Sequence, residues 1–177
     1  MTIQTDTDTE KIAKELLKFF DAINKELVSA SKLGNLSQVR ELLGIGADVK
    51  YKNQACLRYA IFTGNLEIVK EIVEAGADVN AIMDDDYTPL MLSAYCGKLD
   101  VAQYLLKNGA NPEIVTKYSA LFLAVKHDRP KFIPLLLENG AKMETKVNGK
   151  GFNGYLHLCQ GQGVLSRYSI RKNVTAT

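Results

Sequence analysis

Residues 88–111 read TPLMLSAYCGKLDVAQYLLKNGAN. Thr88 is a favourable helix N-cap, and Pro89 fits the first helical position because its missing N–H would have no partner there. Gly97 ends this short helix in a backbone conformation that favours glycine, and Gly109 ends a second helix. The second helix has its apolar residues on one face, at Leu99, Ala102, Leu105 and Leu106. The stretch therefore predicts two short antiparallel helices joined by a tight turn.

The same plan recurs along the chain. Each copy has an apolar helix opening with a small residue, a turn, a second apolar stripe and a closing Gly-Ala. The closing glycines Gly46, Gly76, Gly109 and Gly140 stand 30, 33 and 31 residues apart. This pattern resembles the ankyrin repeat, whose helix opening is Thr-Pro-Leu-His-x-Ala and whose period is about 33 residues. The resemblance covers residues 25–147 in four copies.

The resemblance implies an all-α ankyrin repeat solenoid of four to five helix-turn-helix units. Short β-hairpin-like connections would join the units, and an N-terminal capping helix would precede them. We expect residues 1–8 to be disordered and residues 9–163 to form the repeat domain, followed by a C-terminal tail at 164–177. The expected parts of the domain are a capping helix at 9–24, repeats at 25–54, 55–84, 85–117 and 118–147, and a partial repeat or cap at 148–163.

The segment after Thr9 carries apolar residues three and four positions apart, at Ile12, Ala13, Leu16, Leu17, Phe20 and Ile23. Such a stripe indicates one buried helix face. Because the ends of a solenoid need polar-faced caps, we expect this helix to cover the first repeat. A helix that binds a partner is the alternative.

Three departures from the repeat pattern predict local changes. The connection between Val49 and Ala55 is three residues short, so its hairpin should be stubby. Asp128 replaces the turn glycine of the fourth unit and should adopt a left-handed backbone. Pro134 lies inside the following helix, which should therefore bend or fray at its first turn.

The composition excludes several classes of protein. A net charge of +2 over 177 residues gives no global attraction to nucleic acid. Three widely spaced cysteines, Cys56, Cys96 and Cys159, are typical of reduced thiols. No apolar stretch reaches the length of a membrane span, and the N-terminus is polar and acidic, unlike a secretory signal. We therefore expect a cytoplasmic protein that binds neither membrane nor nucleic acid.

No residue set for catalysis or cofactor binding is visible. Residues 149–154 match G-x-G-x-x-G, but no buried strand precedes them and no acidic residue follows, so a turn is favoured. His127 and His157 lack partners at metal-ligand spacing. Asp84–Asp86 lacks the glycine and terminal Glu of a calcium loop. We expect a protein that is not an enzyme and that holds no cofactor or metal.

In an ankyrin-like stack, the hairpin tips and the edges of the first helices form one concave surface. The resemblance places candidate partner-binding residues there: Tyr51, Lys52, Phe62, Asp84, Asp85, Tyr87, Tyr95, Tyr118, Lys126 and His127. Gln54 is expected at the same tips. Five of these residues are aromatic, and exposed rings are frequent binding hot spots. The alternative is that each ring packs over its own hairpin.

We therefore expect a protein, monomeric when free, that binds another protein through its concave face. The acidic run at 84–86 opposes binding to DNA phosphates. The alternative function is an inhibitor or immunity-type protein that blocks the active site of an enzyme. In that case Asp84–Asp86 would reach into a basic cleft.

Overall fold

A computed structural model describes residues 4–142 of the chain, with side chains from Thr9 onward. This part of the chain contains eight helices and no strand: α1 (Gln4–Leu33), α2 (Leu36–Ile45), α3 (Tyr51–Thr63), α4 (Leu66–Glu74), α5 (Pro89–Cys96), α6 (Leu99–Lys107), α7 (Ala120–Lys126) and α8 (Phe132–Glu138). The predicted all-α class is confirmed. The partial repeat and the tail lie outside the described residues, as do the cofactor-like motif at 149–154, Cys159 and His157.

The helices form four antiparallel pairs that stack in two layers. The first helices of the pairs, α1, α3, α5 and α7, contact one another in sequence, and α2, α4 and α6 do the same in the second layer. One continuous apolar core runs through the stack. Each inner pair therefore buries its apolar surface against a neighbour on both sides, as a solenoid requires.

The helix starts follow from side-chain caps. The Met91 N–H donates to Thr88 Oγ1 at 3.2 Å, and Pro89 occupies the first turn, as predicted. Ser119 caps α7 in the same way, accepting from the Phe122 N–H at 3.1 Å. Such caps satisfy N–H groups that have no partner inside the helix.

Two turn glycines adopt a left-handed backbone and lie against the ends of long side chains from the next repeat. Gly64 and Gly97 have φ of 79° and 71°. A Cβ at Gly97 would lie 2.8 Å from Cζ of Arg129, and one at Gly64 would lie 2.8 Å from Cδ of Lys98. Arg129 Nη2 donates to the carbonyl oxygen of Tyr95 at 3.5 Å. Each cation thus reaches the C-terminal end of a first helix in the preceding repeat, where the helix dipole favours positive charge.

Small residues lie where neighbouring first helices pass one another. Ala30, Ala60, Ser93, Ala94 and Ala124 are all fully buried, and Ser93 Oγ donates to the carbonyl oxygen of Leu90 at 2.7 Å. The prediction that packing determines these positions is confirmed, because a larger side chain would separate the helices.

The short connection between the first two repeats runs directly into α3, whose residues 52–54 form a left-handed turn and not regular α-helix. Lys52, Asn53 and Gln54 have φ of 45°, 51° and 60°. Gln54, expected at an exposed tip, is buried instead, and this prediction was wrong. The turn directs its side chain inward, where Oε1 accepts from the N–H of Asp78 at 2.7 Å. Asn24 makes the equivalent bond one repeat earlier, accepting from the Asp48 N–H at 2.7 Å.

Replacing Gln54 by alanine is expected to lower the free energy of unfolding by about 1 kcal/mol, because the Asp78 N–H loses its partner. Urea unfolding followed by circular dichroism measures the change. Gln103→Ala in α6 is the matched control, since Gln103 is exposed and its loss should have almost no effect. Equal stability of the two variants would contradict a structural role for the buried amide.

The predicted capping helix differs from the structure in two respects. It is continuous with the first helix of repeat 1, so α1 begins at Gln4 within the segment expected to be disordered and passes the 24–25 boundary without a break. Every residue from Thr9 to Phe20 is exposed, including Leu17 at 70 %. The expected buried face was wrong for residues up to Phe20, on which no helix of the described residues packs, whereas the last residue of the stripe, Ile23, is buried as expected.

In the fourth pair, the left-handed turn predicted at Asp128 is confirmed, whereas Pro134 lies in the first turn of its helix and not one turn inside it as expected. Asp128 has a left-handed backbone, with φ of 52°. Helix α8 begins at Phe132, four residues after that turn, whereas α6 begins two residues after Gly97. Pro134 is then the third residue of α8, where its missing N–H removes no intrahelical bond. Within residues 4–142, no helix is long and apolar enough to cross a membrane.

Candidate functional site

Five rings form a continuous row across repeats 3 and 4, which we call the ring row. It runs His127, Tyr95, Tyr87, Tyr118, Phe122, with successive centroid distances of 4.7, 5.8, 5.5 and 5.9 Å. Tyr87 and Tyr118 come from the connections before α5 and α7. Tyr95 and His127 lie at the C-terminal ends of the same helices. The structure thus brings together four of the ten predicted site residues.

A pocket of about 310 Å³ lies beside the ring row, between α3 and α5. Its lining is mainly apolar and consists of Arg58, Tyr59, Phe62, Asp85, Tyr87, Leu92 and Tyr95. The two charged residues of the lining, Arg58 and Asp85, form an ion pair in which Arg58 Nη1 lies 2.7 Å from Asp85 Oδ2. The pocket therefore combines aromatic walls with one neutralised ion pair, and its volume suits a large side chain.

The rings of this face divide into two groups by exposure. Phe62 is 60 % exposed and Tyr95 is 38 % exposed. Tyr87 and Tyr118 are half-buried and pack against the core. Burial raises the pKa of Tyr87, and the neighbouring hydroxyls of Tyr118 and Tyr95 add to the shift. Local packing thus explains why aromatic residues occupy positions 87 and 118, whereas Phe62 and Tyr95 present apolar surface to solvent.

Tyr51 and Lys52 lie apart from the ring row, at the first connection. The Tyr51 hydroxyl donates to Asp21 Oδ1 of α1 at 2.7 Å, and Lys52 Nζ lies 5.5 Å from the centre of the Tyr51 ring. Asp21 also pairs with Lys25 at 2.6 Å. The hydrogen bond from Lys25 and then that from Tyr51 lower the pKa of Asp21. Tyr51 therefore holds the first connection against α1.

The acidic run at Asp84–Asp86 contacts the neighbouring repeats. Asn53 Nδ2 donates to Asp84 Oδ1 at 3.0 Å, Arg58 pairs with Asp85 and Lys117 Nζ pairs with Asp86 Oδ2. The three carboxylates are thus bound within the chain, by residues from both sides of the connection. No geometric observation favours the hypothesis that they enter a basic cleft of an enzyme.

Lys126 and His127 carry the polar character of the ring row. Lys126 Nζ lies 5.6 Å from the centre of the Tyr118 ring and 5.8 Å from that of Phe122, within cation–π range. Burial lowers the pKa of His127, and the charges of Lys126 and Arg129 lower it further. The imidazole is therefore neutral near pH 7, and Lys126 provides the positive charge here.

Sequence reasoning missed four residues of this site: Arg58, Tyr59, Leu92 and Phe122. For three of them, the spacing along the helix could have indicated that they share a face with a predicted site residue. Arg58 and Tyr59 lie four and three residues before Phe62, and Leu92 lies three residues before Tyr95. Residues at these spacings share one helix face.

The described residues hold no candidate metal centre, and the thiol of Cys56 is not reactive. Within them, no group of three or more His, Cys, Asp or Glu residues could hold a metal ion. Cys56 is buried, its Sγ lies 3.2 Å from the carbonyl oxygen of Val49, and burial raises its pKa to about 12. A thiol with so high a pKa is a poor nucleophile at neutral pH.

Comparison with known proteins identifies the class. The family model described as ankyrin repeats (3 copies) matches residues 27–116 and 83–147. The chain therefore belongs to the ankyrin repeat family, whose repeats are in general protein–protein interaction modules and typically not enzymes.

Two curated nematode proteins are similar to this chain. An ankyrin repeat and KH domain-containing protein of Caenorhabditis briggsae is 32% identical over 115 residues, which is 63% of this chain. The ankyrin repeat and KH domain-containing protein mask-1 of Caenorhabditis elegans is 33% identical over 95 residues, or 52% of this chain. The chain spans about 4% of the length of each relative.

Proposed function

We propose that this chain is a non-enzymatic module that binds another protein through the concave face formed by α3, α5 and the connection between them. The observation that carries the proposal is the exposure of Phe62 and Tyr95 beside a pocket of about 310 Å³. Exposed aromatic anchors next to a preformed pocket are typical of protein-binding hot spots.

The pocket is preorganised for a large apolar side chain. Phe62 and Tyr95 come from adjacent first helices, which pack on each other and fix the distance between the two rings. The Arg58–Asp85 pair offers a donor and an acceptor to polar groups that flank such a side chain. A rigid site loses little conformational entropy on binding, so more of the interaction free energy appears as affinity.

The distribution of charge favours a protein over a nucleic acid as the partner. Acidic Asp84 and Asp85 lie near the pocket, and Lys126 lies one repeat further along. Nucleic-acid affinity depends on many phosphate contacts to Lys and Arg, whereas this face has mixed polarity. Free Cys56 and Cys96 are consistent with the cytoplasmic location that we propose for the complex.

Affinity capture with quantitative mass spectrometry tests the proposal. The immobilised chain is compared with its Phe62→Ala/Tyr95→Ala variant and with Ile45→Ala, which removes an exposed apolar side chain from the second-helix layer. We expect at least one protein to be retained by the parent and by Ile45→Ala but lost from the double variant. Equal capture by all three chains would contradict the assignment of the site.

A further inference from the structure

Residues 12–20 of α1 expose an apolar surface that the repeats do not use. Ile12, Leu16, Leu17, Phe19 and Phe20 are between 43 % and 70 % exposed. The rings of Phe19 and Phe20 contact each other edge to face, with centroids 5.7 Å apart. Large contiguous apolar patches on monomeric proteins are rare and mark interaction surfaces.

Part of this surface belongs to a line of apolar residues along α1, which we call the seam. Further along α1, the same line is covered by other helices. Residues 13, 16, 20, 23, 27 and 30 alternate steps of three and four, the spacing of helices that pack side by side. The later members, Ile23, Leu27 and Ala30, are buried where α1 packs on α2 and α3. The earlier members, Ala13, Leu16 and Phe20, continue this spacing, and no helix of residues 4–142 covers them. Another helix therefore fits this surface.

The charges of the segment favour a second copy of the chain over a membrane. Residues 9–23 hold three lysines and three acidic residues, so their net charge is zero. Helices that lie on anionic membranes need a predominantly basic polar face, which this segment lacks. A neutral segment also avoids charge repulsion between two identical helices.

We propose that α1 forms an antiparallel pair with α1 of a second copy, with Leu16 and Phe20 of both copies at its centre. Antiparallel pairing keeps the two repeat arrays at opposite ends, whereas parallel pairing would bring them together where α2 and α3 already cover the seam. Leu17 and Phe19 flank the seam and widen the contact. This proposal differs from the sequence-based expectation of a protein that is monomeric when free.

The contact is short, so the dimer should be weak and concentration-dependent. Fifteen residues of helix span about 22 Å, and a pair of this length lies near the lower limit of roughly 1,000 Å² for a specific interface. Sedimentation equilibrium of the full chain, from low-micromolar to several-hundred-micromolar concentration, should show the mass rising from one chain towards two.

The variant Leu16→Asp/Phe20→Asp should remain monomeric over the same range, with unchanged melting temperature because neither residue supports the repeats. Lys11→Gln/Lys18→Gln, on the opposite face of α1, lowers the net charge of the segment by the same two units; it is the matched control and should still dimerise. A parent chain that is monomeric throughout would overturn the proposal, and so would dimers that persist in Leu16→Asp/Phe20→Asp. Co-flotation of a monomeric parent with phosphatidylcholine–phosphatidylserine vesicles would assign the stripe to membranes and also overturn it.

Discussion

The variant Phe62→Ala/Tyr95→Ala is expected to bind a purified protein partner about 100-fold more weakly than the parent chain, since two hot-spot anchors are lost. Isothermal titration calorimetry measures the affinity. The melting temperature should change little, because Phe62 is 60 % exposed and Tyr95 is 38 % exposed. The result would distinguish Phe62 and Tyr95, whose loss affects binding, from the half-buried Tyr87, whose removal should disturb the packing of the ring row.

Ile45→Ala provides the reference for this measurement. Ile45 is 48 % exposed at the end of α2, so its truncation removes apolar surface from the opposite layer of the stack. Its affinity should stay within about twofold of the parent, as for a residue outside the hot spot. Similar losses in Ile45→Ala and in the double variant would indicate that the contact is not specific to the pocket.

The second large effect concerns stability. Leu57→Ala is expected to lower the free energy of unfolding by about 2–5 kcal/mol, because truncation leaves a cavity in a close-packed core. Leu57 is fully buried in α3, which packs on α1 and α5 at once. Both neighbouring repeats therefore lose contacts, and collapse around the cavity is restricted.

Chemical denaturation followed by far-ultraviolet circular dichroism measures that loss. Leu33→Ala is the matched control, because Leu33 is 77 % exposed at the end of α1 and should contribute less than about 0.5 kcal/mol. A loss below about 1 kcal/mol for Leu57→Ala would show that the repeats do not depend on mutual burial.

The sequence predicted the features that depend on short-range chemistry. Thr88 caps α5, Asp128 takes the left-handed turn, and Ala60 lies between first helices because backbone geometry and close packing leave few other residue types. Repetition of these signals at a nearly constant spacing was sufficient to predict the stack. The positions of Tyr87 and Tyr118 near the connections followed from the same register.

The features that the sequence did not predict depend on which residues from other parts of the fold contact a given side chain. Periodicity showed that Leu16 and Phe20 share an apolar face, but it could not show that no helix of the described chain covers that face. The inward turn of Gln54 arises because three residues are missing from a connection, which forces non-glycine residues into left-handed conformations. The pairing of Asp85 with Arg58 depends on the distance between repeats, which composition does not encode.

Hydrogen–deuterium exchange of the chain, with and without its captured protein partner, tests most directly whether the pocketed face is the binding surface. We expect the partner to slow amide exchange at residues 58–63 and 84–96, which form the pocket and its rim, and to leave residues 36–45 and 66–74 in the second layer unchanged. Slower exchange confined to the second layer, with none around the pocket, would contradict the proposed site.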